Sequence, residues 1–228
     1  MSRPDAKPRA MPVPDCRLYL FTPSLTAATL PAFAPRLAEA LGAGDVASLL
    51  VRIAPDAAGD AKRIAEQLLT VAAPYEAAIL LDGDPRLAAR AGADGAHVSG
   101  TGEALSEALA SLKPERIVGA GGLRGRDDAM AAGEAGADYV MFGEPRRDGF
   151  TPPLAETIER IEWWATIFET PCVGFAAKLD DLVALAAAGA DFVALGDALW
   201  AAPSLAEAVA AAAAAAAQAA KARAEAAS

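Results

Sequence analysis

Ala91-Gly92-Ala93-Asp94-Gly95-Ala96-His97-Val98 is the stretch on which the fold turns. It returns as Ala135-Gly136-Ala137-Asp138-Tyr139-Val140-Met141-Phe142 and as Ala188-Gly189-Ala190-Asp191-Phe192-Val193-Ala194-Leu195. Each copy closes an Ala-rich helical pattern and opens a short apolar run, so each reads as a helix-to-strand corner. Glycine just past a helix end takes the left-handed conformation that a Cβ would strain. The alanine lets helix and sheet approach closely, and the aspartate turns the chain toward the strand. The three aspartates stand 44 and 53 residues apart, a spacing that suits a unit of two strand–helix pairs. The repeat predicts a single (β/α)8 TIM barrel of the α/β class.

Outward from these corners the pattern holds along the chain. Strands are expected over 16–22, 46–53, 77–81, 96–99, 116–120, 139–143, 172–175 and 192–195. They are short, mostly continuous apolar runs, as strands covered on both faces require. Amphipathic helices are expected between them, over 30–41, 59–72, 85–91, 103–112, 126–135, 154–168 and 179–187, with a last Ala-rich helix over 204–224. That alternation implies parallel strands joined by right-handed crossovers. Residues 1–15, with Pro4, Pro8, Pro12 and Pro14, read as a flexible arm, and 16–228 as the barrel domain. Few large apolar residues follow Leu205 and Val209, so the end of the last helix is expected to project or fray.

Composition narrows the function classes. The 228 residues suffice for one compact barrel, and 54% hydrophobic residues supply its core. A formal net charge of −10 argues against general affinity for nucleic acid or anionic membranes. Cys16 and Cys172 have no metal-like spacing and fall on strands that are not neighbours, so buried thiols in a reducing cytoplasm are expected. The alanine-dominated run 206–220 reads as a helix in water, not a membrane span.

The working face of such a barrel is the rim at the C-terminal ends of the strands. Asp94, Asp138 and Asp191 precede their strands and are therefore expected to be structural. The opposite rim carries Thr22, Arg52, Asp82, Asp84, Ser99 and Thr101, then Arg124, Arg126, Glu144, Arg146, Arg147, Lys178 and Asp197. Arg52 closes a strongly apolar strand and needs a partner, either a carboxylate such as Asp82 or a bound anion. His97, the single histidine, sits inside the fourth strand and reads as an interior residue satisfied by a hydrogen bond. Of Trp163 and Trp164, adjacent on one helix, one is expected at a surface. Lys178 would carry a Schiff base only in an aldolase.

Leu18-Tyr19-Leu20-Phe21-Thr22, Gly92-Ala93-Asp94-Gly95-Ala96-His97-Val98, Ile117-Val118-Gly119 and Gly136-Ala137-Asp138-Tyr139-Val140-Met141-Phe142-Gly143 occur in this order. Together they resemble the thiamine phosphate synthase/TenI family of compact barrels over about 16–200. The resemblance implies coupling of a pyrimidine diphosphate to a thiazole phosphate, with Mg²⁺ on the diphosphate; some relatives isomerise the thiazole instead. It also implies a phosphorylated small-molecule partner, and a homodimer remains open. Where the family carries Gln-x-Arg-x-Lys after strand two, this chain has Leu50, Arg52 and Ala54. The two metal-holding aspartates match Gly83 and Gly102, which leaves Asp82 and Asp84 as metal candidates. A serine after strand five is matched by Gly121, and the Thr/Lys loop after strand six by residues 144–153. The glycine pair after strand seven becomes Ala176-Ala177, and a serine beside strand eight becomes Asp197.

On these grounds the catalytic candidates are Arg52, Asp82 and Arg124. The substrate-binding candidates are Arg52, Asp82, Arg146, Arg147, Gly174, Ala176, Ala177, Gly196 and Asp197. Two readings stay open: a synthase-like enzyme of thiamine metabolism with degraded metal and phosphate motifs, and a non-catalytic barrel that binds a small metabolite or a partner.

Overall fold

The computed structural model describes residues 16–146 and 149–226; the proposed arm 1–15 and Arg147 lie outside them. Eight parallel strands close in sequence order into one barrel: β1 (Arg17–Phe21), β2 (Val46–Val51), β3 (Ala78–Asp82), β4 (Gly95–Ser99), β5 (Ile117–Gly121), β6 (Tyr139–Phe142), β7 (Cys172–Ala176) and β8 (Phe192–Leu195). The ring closes through β1 and β8, where Leu18 pairs with Val193 and Leu20 with Leu195. Helices α1 (Leu30–Ala43), α2 (Ala61–Ala72), α3 (Pro85–Ala91), α4 (Glu103–Leu112), α5 (Arg126–Glu134), α6 (Leu154–Ile167) and α7 (Leu182–Ala188) follow β1 to β7 in turn. The short α8 (Asp197–Trp200) and the long α9 (Leu205–Ala226) follow β8.

Side chains alternate along each strand, so two separate apolar layers form. Leu18, Leu20, Leu49, Val51, Val140 and Val193 face the helices. Tyr19, Phe21, Leu50, Leu80, Tyr139 and Met141 fill the interior. Close packing also explains two strand glycines. A Cβ on Gly119 would overlap the Tyr139 ring, and one on Gly95 would overlap the Ile117 carbonyl.

The three corners behave alike. Gly92, Gly136 and Gly189 have φ of 78°, 97° and 109°, the region where only glycine is unstrained. The carboxylates of Asp94, Asp138 and Asp191 accept the backbone N–H of Ile79 (2.7 Å), Val118 (2.8 Å) and Cys172 (2.8 Å). Their own N–H groups donate back to the carbonyls of those same residues. Each aspartate thus stitches the start of its strand to the preceding one.

Several expectations shift. The helix expected from residue 59 begins as a 3-10 turn, Pro55–Asp60, before α2, and that expected from 179 begins as a 3-10 turn, Leu179–Asp181, before α7. The α8 turn was not anticipated. It seats Trp200, whose indole Nε1 donates to the Phe21 carbonyl (2.6 Å) and whose ring meets Phe33 edge-on. α9 packs as far as Ala219, with Ala212, Ala216 and Ala219 buried because alanine lets the helix lie close to its neighbours, while its last turn, from residue 221 on, is mostly exposed, as expected. Of the tryptophan pair, Trp164 is buried and donates to the Thr170 carbonyl (2.7 Å). Trp163 is half-buried beneath the Arg126 guanidinium. Both cysteines are buried free thiols, and burial pushes the Cys16 thiol up to about 12. Among the described residues no helix is long and apolar enough to cross a membrane.

Candidate functional site

A hollow of about 150 Å³ opens at the C-terminal mouth of the barrel, lined by Arg52, Asp82, His97, Ser99, Glu144 and Arg146 over an apolar floor of Phe21 and Leu50. Each polar side chain is placed by the strand that ends beneath it. Inward alternation puts Asp82 at the last residue of β3 and His97 at the middle of β4. Arg52 follows β2 directly, and Glu144 stands two residues past β6.

Arg52 is anchored on three sides. Its backbone N–H donates to Thr22 Oγ1 (2.9 Å), its Nε to the Thr22 carbonyl (2.5 Å), and its Nη2 to Asp197 Oδ1 (2.9 Å). The guanidinium carbon lies 5.6 Å from the centre of the Phe21 ring. The carboxylate seen on Arg52 is therefore that of Asp197, brought round from α8 by barrel closure, where sequence reading pointed to Asp82.

Beneath the hollow runs a buried polar chain. Tyr19 Oη lies 2.8 Å from Tyr139 Oη, which lies 2.9 Å from His97 Nδ1. The expected interior histidine is thus found, with its hydrogen bond. Burial lowers its pKa to about 4, so the imidazole is neutral at physiological pH. Burial raises both tyrosines well above their ordinary value.

Glu144 is the residue that sequence reading named on the rim but left out of the site. It is buried, and its Oε1 accepts the Gly122 N–H. A Cβ built on Gly121 would overlap both Glu144 Oε1 and His97 Nε2, so the missing side chain opens the slot in which these groups converge. Burial pushes the Glu144 carboxyl up to about 7; Asp82 adds to the rise, while the N–H groups of Gly122 and Glu144 itself and the charge of Arg146 oppose it. The signal was present: an acidic residue directly after the apolar Tyr139-Val140-Met141-Phe142-Gly143 run, opposite a glycine-ended strand.

Of the residues proposed from sequence, Arg52, Asp82 and Arg146 share the hollow. Asp197 holds Arg52, and Gly196 is buried against Phe21 and Phe175. Others lie elsewhere. Arg124 is exposed, its N–H donating to Asp128. A Cβ on Gly174 would meet Ile161 and Leu185, and Ala176 is buried in the same outer layer, so both face helices. Ala177 is exposed beyond β7, and Lys178 is exposed with its N–H on Asp181. Alternation along β7 dictates this, because Phe175 takes the inward position between Gly174 and Ala176.

Mg²⁺ prefers an octahedral oxygen shell and is usually held by one or two carboxylates with waters or substrate phosphates. Asp84 is the N-cap of α3, its Oδ1 accepting the Leu87 N–H (2.8 Å). Glu144 Oε1 is taken by Gly122, and the family's ligand positions are Gly83 and Gly102. Among the described residues no group of three or more His, Cys, Asp or Glu side chains converges for a metal. Asp82 lines the hollow and Asp84 stands two residues further on, so the protein would offer one or two carboxylates, with waters and substrate phosphates completing the shell of any Mg²⁺.

A larger hollow of about 480 Å³ lies at the other rim, beside Leu69, Tyr75 and Ile79. Of its two carboxylates, Asp94 is committed to the Ile79 N–H and Glu76 is exposed, so it offers no comparable convergence of buried polar groups.

The comparisons with known proteins agree with the barrel and its strand motifs. The family model described as thiamine monophosphate synthase matches residues 18–199. The thiamine-phosphate synthase of Rhodospirillum centenum is 40% identical over 194 residues, covering 83% of this chain and 92% of the relative. That of Hyphomonas neptunium is 36% identical over 200 residues, covering 84% and 89%. Among solved structures, the thiamine phosphate pyrophosphorylase of Pyrococcus furiosus superposes with a TM-score of 0.73 at 21% identity, covering 90% of this chain and 98% of that one. At that identity the structural likeness carries the fold, while the family model and the sequence relatives carry the kinship: the chain belongs to the thiamine monophosphate synthase family.

Proposed function

We propose that this chain is a transferase of the thiamine-phosphate synthase type, joining a pyrimidine diphosphate to a thiazole phosphate at the barrel mouth. The observation that carries this reading is the mouth, where Arg52 and Arg146 flank a hollow floored by Phe21 and Leu50. The relatives named as thiamine-phosphate synthases support it. In the reaction the carbon–oxygen bond to diphosphate breaks, the thiazole nitrogen forms the new carbon–nitrogen bond, and diphosphate leaves. Two guanidiniums beside the leaving group would offset its growing charge, an effect that strengthens where water is excluded. Apolar walls would hold the two rings in register, which lowers the entropic part of the barrier.

Purified protein given both precursors, with and without Mg²⁺, is expected to form thiamine phosphate. Absence of product beside an active relative would reject the reading. A second reading, a barrel that binds a phosphorylated metabolite without turnover, draws on the Arg52–Asp197 pair, which sets a carboxylate against an arginine otherwise suited to phosphate. Binding of thiazole phosphate with no product from the pair of precursors would select it.

A further inference from the structure

We infer that Thr22 is a positioning residue for Arg52: its hydroxyl and its carbonyl together set the guanidinium toward the hollow, so that anion recognition on this side of the mouth depends on the orientation of one arginine. The inference deepens the proposed function and rests on its premise that the mouth receives the diphosphate. Three observations carry it.

First, Thr22 is a fully buried polar residue just past the end of β1, and both of its oxygens are engaged by Arg52. Oγ1 accepts the Arg52 backbone N–H (2.9 Å) and the carbonyl accepts Nε (2.5 Å), while the Thr22 N–H donates across the seam to the Leu50 carbonyl (2.9 Å). The hydroxyl thus fixes where the Arg52 backbone stands, and the carbonyl fixes where its side chain turns. Second, the neighbouring contacts support the same direction. The Phe21 ring lies 5.6 Å from the guanidinium carbon, and the Phe21 carbonyl is itself held by the Trp200 indole (2.6 Å), so the Phe21–Thr22 segment is a pedestal anchored from both sides. Asp197 is the weaker partner, because its carboxylate is largely exposed and water competes for it, whereas Thr22 is closed to water. Third, Arg52 has no polar companion at its own strand end. The alternate positions on either side are Leu50 and Ala54, so β2 presents a single charged group to the mouth.

The chemistry follows from donor count. A guanidinium is a planar fork of N–H donors. Nε and one N–H of Nη2 are committed to Thr22 and Asp197, which leaves the Nη1 end of the fork for an incoming oxyanion. An arginine left to itself samples many rotamers, and ordering it at the moment of binding subtracts from affinity. Thr22 removes that penalty beforehand, because its buried carbonyl selects one rotamer in the unliganded protein. Without the hydroxyl the Arg52 N–H would lose its acceptor, the ends of β1 and β2 would part, and the carbonyl would move out of reach of Nε. The consequence is selective: an oxyanion on Arg52 feels the change, and an uncharged ring on Phe21 and Leu50 does not.

The test is calorimetric titration of inorganic diphosphate into the unaltered protein, Thr22→Val, Thr22→Ser, Arg52→Gln and the Thr22→Val/Arg52→Gln double variant. Low ionic strength keeps the weakest variant measurable through Arg146. Thr22→Val keeps the shape and loses the acceptor, so diphosphate should bind about ten-fold more weakly. Thr22→Ser keeps the oxygen and should stay within about two-fold of the unaltered protein. In the Arg52→Gln background the valine change should alter affinity by less than about two-fold, because the group it acts through is gone. A threonine that only held the seam together would weaken binding by the same factor in both backgrounds, since Arg52→Gln retains the backbone N–H. Equal factors, indifference to Thr22→Val, or no diphosphate binding by the unaltered protein would overturn the inference. Should Thr22→Val not fold, Thr22→Ala decides in its place. The expected coupling without any thiamine phosphate formed would sink the synthase reading and leave this one standing. Thiamine phosphate formed alongside equal factors would do the reverse.

Discussion

The two rims of this barrel are built from the same alternation of strand and helix, yet they treat their acidic residues in opposite ways. At the N-terminal rim Asp94, Asp138 and Asp191 each accept a backbone N–H and repeat one device three times. Remove one and a buried donor loses its partner. At the C-terminal rim Glu144, Asp82 and Asp197 follow no repeat. Glu144 is buried beside a neutral imidazole, and Asp197 is largely exposed on Arg52. Repetition with full satisfaction marks a rim that holds the fold. Convergence of unlike groups in a hollow marks a rim that meets a ligand.

The sharpest way to break that contrast is to add one carbon at the structural rim. Gly95→Ala places a Cβ against the Ile117 carbonyl, where backbone must yield. A loss of about 3 kcal/mol is expected in urea unfolding, the upper part of the range for overpacking. A loss below about 1 kcal/mol would show that the rim is softer than its packing indicates.

At the mouth, pH separates the two buried titrating groups. Glu144 binds its proton more tightly folded than unfolded, so its contribution is present below its ordinary value near 4.5 and is lost as pH rises through about 7. His97 runs oppositely: its folded value is lowered from 6.5 to about 4, so its contribution is present above 6.5 and is lost as pH falls through about 4. Between those limits the two offset. The stability of the unaltered protein minus that of Glu144→Gln should therefore fall by about 3 kcal/mol between pH 4.5 and 7, at roughly 1.4 kcal/mol per unit. A flat difference would place the Glu144 carboxyl in water.

Asp138→Ala strips the Val118 N–H of its acceptor and Lys113 of its partner. About 2 kcal/mol of stability should go, the cost of an unsatisfied buried donor, with ligand binding at the far rim unchanged. Loss of binding without loss of stability would contradict the division between the rims. Asp197→Asn sits at the small end of the scale. Its partner is partly exposed and the carboxylate largely so, so less than about 0.5 kcal/mol should change. Affinity for a phosphorylated ligand should rise as Arg52 is released, measured by the same titration.

Much of the architecture was legible because each local rule pointed the same way. The left-handed glycines, the apolar runs and the length of each helical pattern all agreed with one barrel, and the strand bounds lie within two residues of expectation. The site was legible only in part. Arg52, Asp82 and Arg146 line one mouth, whereas Gly174 and Ala176 were drawn in by the phosphate-binding positions that the family resemblance implies near strand seven. One step of alternation turns both toward the helices. Glu144 escaped because its burial comes from Gly121, a residue 23 positions earlier in the chain.

By itself the chain determined its barrel and the structural rank of its three corner aspartates, because turns, alternation and helix ends are decided by neighbours within a few residues. Only tertiary closure decided that Asp197 meets Arg52, that Glu144 and His97 face one slot, and that Tyr19, Tyr139 and His97 form one buried chain. Those meetings join strands far apart in sequence. Their energies depend on the water removed when the ring of strands shuts, a quantity no local pattern contains.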